Sequence, residues 1–310
     1  MIKRKRLRSP LFLGIATIIA LAILNSCVIT AVAASTLLNK SKRDPQQLYI
    51  SDTIPEMDKK RQTEILSAFF GLDNGLNKRT KVIYKEAPGK DGMPLVFSHE
   101  LDPESLEGAD FAVTTRDGSV HVVEAASLLP ANEEFELRTV LLIGEYGNHP
   151  DNPPVSVSVV GDLRARTGQN FKGEKCSVIP LDSGPVLSYA EYFTIDENYP
   201  YVAKGDGCDC PKEETTTVVK AVWSGGVRAV NGKELGDDEK DDFRIALVNG
   251  SDTNLVSPFQ LADLDDNDNN IDLCLNQPGT PIRLSVREAI AIDPNNDQNP
   301  ATEIGIVSRW

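Results

Sequence analysis

Apolar and polar residues alternate along much of this chain, and one alternating stretch is written twice. It runs Asp110-Phe-Ala-Val-Thr-Thr-Arg-Asp-Gly118 and, 132 residues later, Asp242-Phe-Arg-Ile-Ala-Leu-Val-Asn-Gly250. Side chains alternating in this way line the two faces of a strand, and the closing Asp-Gly or Asn-Gly supplies the positive φ angles of a tight hairpin. The correspondence continues downstream. Ser127-Leu-Leu129 matches Gln260-Leu-Ala262, Thr139-Val-Leu-Leu142 matches Asp272-Leu-Cys-Leu275, and Pro154-Val-Ser-Val-Ser-Val159 matches Pro281-Ile-Arg-Leu-Ser-Val286. Leu141 and Leu273 both stand 23 residues beyond the hairpin glycine. The pattern predicts a β unit present in two copies.

The first copy is expected over residues 81–165, with strands at Lys81–Tyr84, Pro94–Phe97, Asp110–Thr115, Val120–Val123, Leu137–Ile143 and Val155–Val160. Short strands joined by short polar turns, with no helical periodicity between them, predict a β-sandwich. The second copy is expected over residues 176–310, with strands at Thr216–Trp223, Phe243–Val248, Leu255–Phe259, Ile271–Leu275, Ile282–Val286 and Glu303–Val307. The segment between the copies, 164–217, reads as the first strand of the second unit carrying a cysteine-rich loop. One helix is predicted, at Arg61–Phe70, where Ile65, Leu66, Phe69 and Phe70 recur at helical spacing and Gly71 stops the run. With the polar, proline-interrupted stretch before it, this forms a tether over residues 35–80.

One motif adds a family likeness. Leu95-Val-Phe-Ser-His-Glu-Leu-Asp-Pro-Glu-Ser-Leu106, followed by Asp110-Phe111, resembles the opening of bacterial immunoglobulin-like domains, in which a strand ending in Phe-Ser leads through an Asp-Pro-x-Ser-Leu turn into the next strand. In the second copy Val222-Trp-Ser224 stands where Phe-Ser stood, and Asn231-Gly-Lys-Glu-Leu-Gly236 replaces the turn. The resemblance implies an all-β chain of two tandem immunoglobulin-like β-sandwiches. Such domains serve as spacers, adhesins and enzyme appendages alike, so the likeness implies a fold and no reaction.

The ends and the charge place these units. Five cations fall in the first eight residues, and an uncharged run extends from Pro10 to Leu38. This is the layout of an export segment, residues 1–34. Three outcomes stand side by side: lipidation of Cys27 after the lipobox-like Leu24-Asn-Ser26, cleavage after Ala31-Val-Ala33, or an uncleaved membrane anchor. All three put the folded part outside the cytoplasm, at a cell surface or in a periplasm, joined to the membrane through its N-terminus or released. The formal net charge is -14, and -19 once the five leading cations are set aside. So acidic a surface repels nucleic acid and attracts divalent cations. In an oxidising compartment Cys176, Cys208, Cys210 and Cys274 are expected to form two disulfides, with Cys176 and Cys274 each taking one of the closely spaced pair Cys208 and Cys210.

Candidate chemistry is confined to acidic loops. In Asp263-Leu-Asp-Asp-Asn-Asp-Asn-Asn-Ile-Asp272, the residues Asp265, Asn267 and Asn269 have the alternate spacing that wraps a loop around calcium, with Asp263, Asp268 and Asp272 as further oxygen donors. Asp293, Asn295 and Asp297 repeat the spacing in a second loop that also ends in Asn299. No catalytic residue is assigned. The chain has three histidines, none paired at metal-ligand spacing, and no nucleophile-elbow, phosphate-loop or dinucleotide motif. The expectation is a binding, adhesion or spacer module whose partner is an extracellular protein or glycan, with calcium as its one candidate cofactor. The alternative is a hydrolase of extracellular polysaccharide, with Trp223, Tyr189 or Tyr192 lining a groove faced by carboxylates.

Overall fold

The structure is a computed structural model that describes residues 48, 50, 53–195, 210–262 and 268–310. The export segment with Cys27, and Cys208, Asp263, Asp265 and Asn267, lie outside the described residues. Residues from Pro45 to Trp310 gather into one compact unit. The described chain is all-β, and it is built as two lobes.

The first lobe comprises β1 (Ile65–Phe69), β2 (Asp91–Phe97), β3 (Phe111–Thr115), β4 (Val120–Ser127), β5 (Thr139–Gly144), β6 (Pro154–Val159) and β7 (Lys175–Ile179). They pair in the order β1-β2-β5-β4-β3-β6-β7, and β7 closes the sheet by running parallel to β1. Inward-facing Met93, Leu95, Phe97, Phe111, Val113, Val140, Leu142, Val157 and Val159 fill the interior. Each such side chain contributes about 1.5–3 kcal/mol by leaving water.

The second lobe comprises β8 (Leu187–Thr194), β9 (Thr217–Trp223), β10 (Arg228–Ala229), β11 (Phe243–Asn249), β12 (Asp252–Val256), β13 (Gln260–Ala262), β14 (Asn270–Leu275), β15 (Thr280–Val286), β16 (Ala291–Ile292), β17 (Thr302–Gly305) and β18 (Val307–Ser308). A four-stranded sheet, β12-β11-β15-β17, packs on a five-stranded one, β13-β14-β9-β8-β18, and a small β10-β16 ribbon lies beside them. Trp223, Phe243, Ile245, Leu273 and Leu284 form the centre of the core between the two sheets.

The lobes share one strand order. Strands β1, β2, β3, β5 and β6 correspond to β8, β9, β11, β14 and β15 by the neighbours they pair with. Phe111 lies opposite Val159 and Phe243 opposite Val286, so the two copies of the repeated stretch hold the same place in the same ladder. What differs is closure. In the first lobe β4 is continuous and passes from β3 to β5 through a register shift at Val123/Ala125. In the second lobe its counterpart is cut into β12 and β13 by Ser257-Pro258-Phe259, because proline has no N–H to give a ladder. The counterpart of β7 is likewise divided, into β17 beside β15 and β18 parallel to β8. One lobe is therefore a closed barrel, the other an open sandwich.

Three expectations need correction. The predicted helix at Arg61–Phe70 is strand β1, in which Leu66 is half-buried and its neighbours are buried on both sides. A strand covered on both faces has no period of 2 to reveal it, and a short apolar run then mimics a helix. Lys81–Tyr84 is not a strand; it overlaps a 3-10 turn at Lys78–Val82, capped by the Asn77 side chain. The segment 164–217 does not belong wholly to the second lobe. It carries β7, which completes the first, and then β8, so residue 176 falls inside the first lobe.

Candidate functional site

The five-stranded sheet is buried on both faces, and its second face is charged. Strand β9 reads Thr-Val-Val-Lys-Ala-Val-Trp and is buried at every position. Alternate residues point to opposite faces. Ala190, Val219, Ala221, Ile271 and Leu273 enter the sandwich core. The opposite face carries three cross-strand rows: Tyr189, Val222 and Asn270; Glu191, Lys220 and Asp272; Phe193, Val218 and Cys274. This face meets the first lobe.

The cover is the β4–β5 connection, in which residues 131–138 are all buried although three of them are Glu and one is Arg. At its tip Phe135 packs edge-on against Phe193 and Trp310, with ring centroids 5.6 and 6.0 Å away. It shares a cluster with Val218, Ala262 and the Cys210–Cys274 disulfide. A second apolar contact joins Leu66 and Val96 of the barrel to Tyr189, Val222 and Val307. Close approach is also built in at Gly225, where an added Cβ would lie 2.6 Å from the Phe69 ring.

Between these apolar patches lie two buried ionic groups. In the first, Arg138 donates to Asp58 at 3.0 Å, to Glu191 at 3.3 Å and to the Ser98 carbonyl at 2.6 Å, and its guanidinium lies 4.4 Å from the centre of the Tyr189 ring. Arg309, the penultimate residue, donates to Glu191 and to Glu100, and sits 3.6 Å over the Phe135 ring. Arg166 adds a bond to Glu100 at 2.6 Å, and the Tyr189 hydroxyl donates to Glu191 at 3.0 Å. Burial by itself would raise the Glu100 carboxyl, but the guanidiniums of Arg309, Arg138 and Arg166 outweigh it and hold the group below the ordinary range. Burial pushes the Tyr189 phenol well up, which keeps its proton available for donation. In the second group Lys220 Nζ stands 3.2 Å from Glu136 Oε1 and 3.1 Å from Asp272 Oδ1, all three side chains being fully buried. Arg138–Glu191, Arg309–Glu100 and Lys220–Glu136 each span the two lobes. Desolvated charges are costly unless paired, so these pairs set the register in which the lobes dock.

The expected calcium ligands that fall within the described residues make internal bonds. Asp268 accepts from the Asn270 backbone and side chain, and Asp272 pairs with Lys220. Asn269 donates to the Trp223 carbonyl and, across the lobes, to Thr139. Asp293 accepts from the backbones of Asn295 and Asp297, with its carboxyl pushed up by burial, while Asn295 donates to Gly71 O of the barrel at 2.8 Å. Both acidic loops thus contribute an asparagine to the contact between lobes. Among the described residues no group of three or more His, Cys, Asp or Glu is placed to hold a metal ion.

Cys210 and Cys274 form a disulfide with their Cα atoms 5.6 Å apart. Cys176, on β7 of the barrel, carries a free thiol that donates to the Ser177 carbonyl, and Cys208, which the expected second bridge requires, lies outside the described residues. His99 is buried against Ser98, His121 lies 3.4 Å from Thr115 Oγ1, and His149 lies 3.7 Å from Asp182. Trp223 and Tyr189, expected to line a groove in the hydrolase alternative, are buried in the core and at the lobe contact. The sequence reading missed Glu136, Arg138, Lys220 and Arg309. The available signal was a lone Lys inside the otherwise apolar run Val218–Trp223, and a lone Asp inside the otherwise apolar run Ile271–Leu275.

No family model and no curated protein matches this chain. Among solved structures, the N-terminal part of the bacterial S-layer protein SbsC is similar at 10% identity and a TM-score of 0.27, over 80% of this chain and 44% of that one. The native conformation of E. coli alpha-2-macroglobulin is similar at 12% identity and a TM-score of 0.26, over 78% of this chain and 20% of that one. The chain spans less than half of either, and likeness at this level carries no argument about function.

Proposed function

We propose that this protein is an exported, membrane-tethered module of two immunoglobulin-like lobes that binds, adheres or acts as a spacer at a cell surface, with an extracellular protein or glycan as its partner. The observation that carries the reading is the buried ionic contact between the lobes. Three ion pairs spanning the lobes, flanked by Phe135 on one side and Val96 on the other, couple two β lobes into one stiff body. A stiff β body on a polar tether suits presentation or spacing. The Cys210–Cys274 bridge fits an oxidising compartment. Calcium at the loop 263–272, without Asp272, whose carboxylate is committed to Lys220, remains part of the proposal, and equal melting curves with and without chelator reject it.

The test is protease shaving of intact expressing cells, followed by fractionation. Release of fragments of the 53–310 region from the outside supports the reading. Recovery of the whole protein from the cytosol alone overturns it.

A further inference from the structure

The geometry points to a covalent cross-link within the second lobe: an amide between Lys220 Nζ and the side-chain carboxyl of Asp272, formed with Glu136 as the proton-transfer group. Lys220 and Asp272 are direct cross-strand partners on β9 and β14, and their side chains share the buried charged face. Nζ stands 3.1 Å from Asp272 Oδ1, which holds the nitrogen beside the carboxyl it would attack. Glu136 Oε1 stands 3.2 Å from the same nitrogen, at the reach of a general base. All three side chains are excluded from solvent. The neighbouring row on the same face carries Phe193, Val218 and Cys274, which cluster with Phe135 and Cys210.

The chemistry balances without a further reactant. Glu136 takes a proton from the Lys220 ammonium, and the freed amine attacks the Asp272 carboxyl carbon. A C–N bond forms and one C–O bond breaks. That oxygen leaves with two of the three original Nζ protons, both relayed through Glu136, and the products are a neutral amide and one water. Nothing is oxidised or reduced. Bringing the pair together in advance removes the entropic part of the barrier. Two buried charges disappear in the product, and with them the cost of keeping them out of water. Glu136 is a catalytic residue for this step, since it touches the reacting nitrogen, and it ends the step as the carboxylate it began as.

The cross-link is also well placed mechanically. It ties β9 to β14 beside the bridge that already holds Cys274, in a body proposed to bear load at a surface, though the chemistry does not depend on that role. The two bonds are separable in an experiment, because one is reducible and the other is not.

The experiment is peptide mapping of the full-length protein after reduction and alkylation. Trypsin does not cleave at an acylated lysine, so the tryptic segments 213–228 and 245–283 are expected as one joined species lacking the mass of one water. Lys220→Arg, checked for folding by its melting curve, abolishes the joined species. Glu136→Gln, with both reacting groups intact, slows its formation at least tenfold. Asp272→Asn yields the same joined species with loss of ammonia instead of water. Separate wild-type segments, with 213–220 and 245–283 both at full mass, overturn the proposal. Loss of water confined to a single unlinked segment overturns it equally, because that is cyclisation of an aspartate on its own backbone.

Discussion

Phe135 holds a left-handed backbone, φ 74°, while its ring is only 2% exposed. A bulky residue in that region costs about 1–2 kcal/mol, and the packing of the ring between Phe193, Trp310 and Arg309 must more than offset it. Phe135→Ala is expected to destabilise by about 3–5 kcal/mol in urea unfolding. Phe135→Gly loses the same ring but relaxes the backbone, so it should be about 1 kcal/mol milder than Phe135→Ala; equal losses would mean that the backbone carries no strain. A second residue sets a pH dependence. Asp91 is buried at the start of β2, where its carboxylate accepts from the backbones of Asn74 and Tyr146, and burial pushes its pKa up to about 6. The folded state therefore keeps a proton that the unfolded chain releases near pH 4. The stabilisation is present below about pH 4 and is lost as pH rises to about 6, a fall of about 2 kcal/mol. Asp91→Asn should flatten that slope, and an unchanged slope in stability measured across this window would reject the assignment. At this scale the sequence was partly legible. Asp272 was singled out, but for its spacing with other oxygen donors, while its partner Lys220 is 52 residues away in the chain and pairs with it only through the β9–β14 register.

Among the elements, the best-read ones carry their own turn chemistry. The strands before Gly118 and Gly250 were legible because alternation and a hairpin dipeptide agree locally. The closing strands were not, because β1 and β7 meet through a parallel pairing between distant parts of the chain that no local signal announces. The same holds for β18. It is two residues long, yet it brings Arg309 beneath Phe135, and the Arg309 backbone donates to Tyr192 O while its carbonyl accepts from Glu56. Arg309→Met leaves Glu100 and Glu191 with fewer cations around them and is expected to cost about 3–5 kcal/mol. Combined with Glu191→Gln, which removes one of the orphaned charges, the loss should fall short of the sum of the two single losses by at least about 1 kcal/mol. Additive losses in that cycle would show that the guanidinium and Glu191 do not interact.

For the whole molecule, what matters is how the two lobes are coupled. Each has its own apolar interior, which alone would allow the lobes to melt independently. The face of the five-stranded sheet argues otherwise. If the barrel unfolded first, Lys220, Glu191 and Arg309 would keep their places but lose Glu136, Arg138 and Glu100 respectively, and the second lobe would be left with Phe193 and Val218 exposed as well. The penalty of exposing that face is paid by whichever lobe remains, so neither has a stable state alone. Calorimetry of the folded region is therefore expected to show one transition whose calorimetric enthalpy matches its van't Hoff enthalpy. Glu191→Lys places a third cation between Arg138 and Arg309, and by turning attraction across the contact into repulsion it should split that transition in two. Two transitions in the unaltered protein would mean that the lobes are joined loosely, and the stiff-body reading would fall with them.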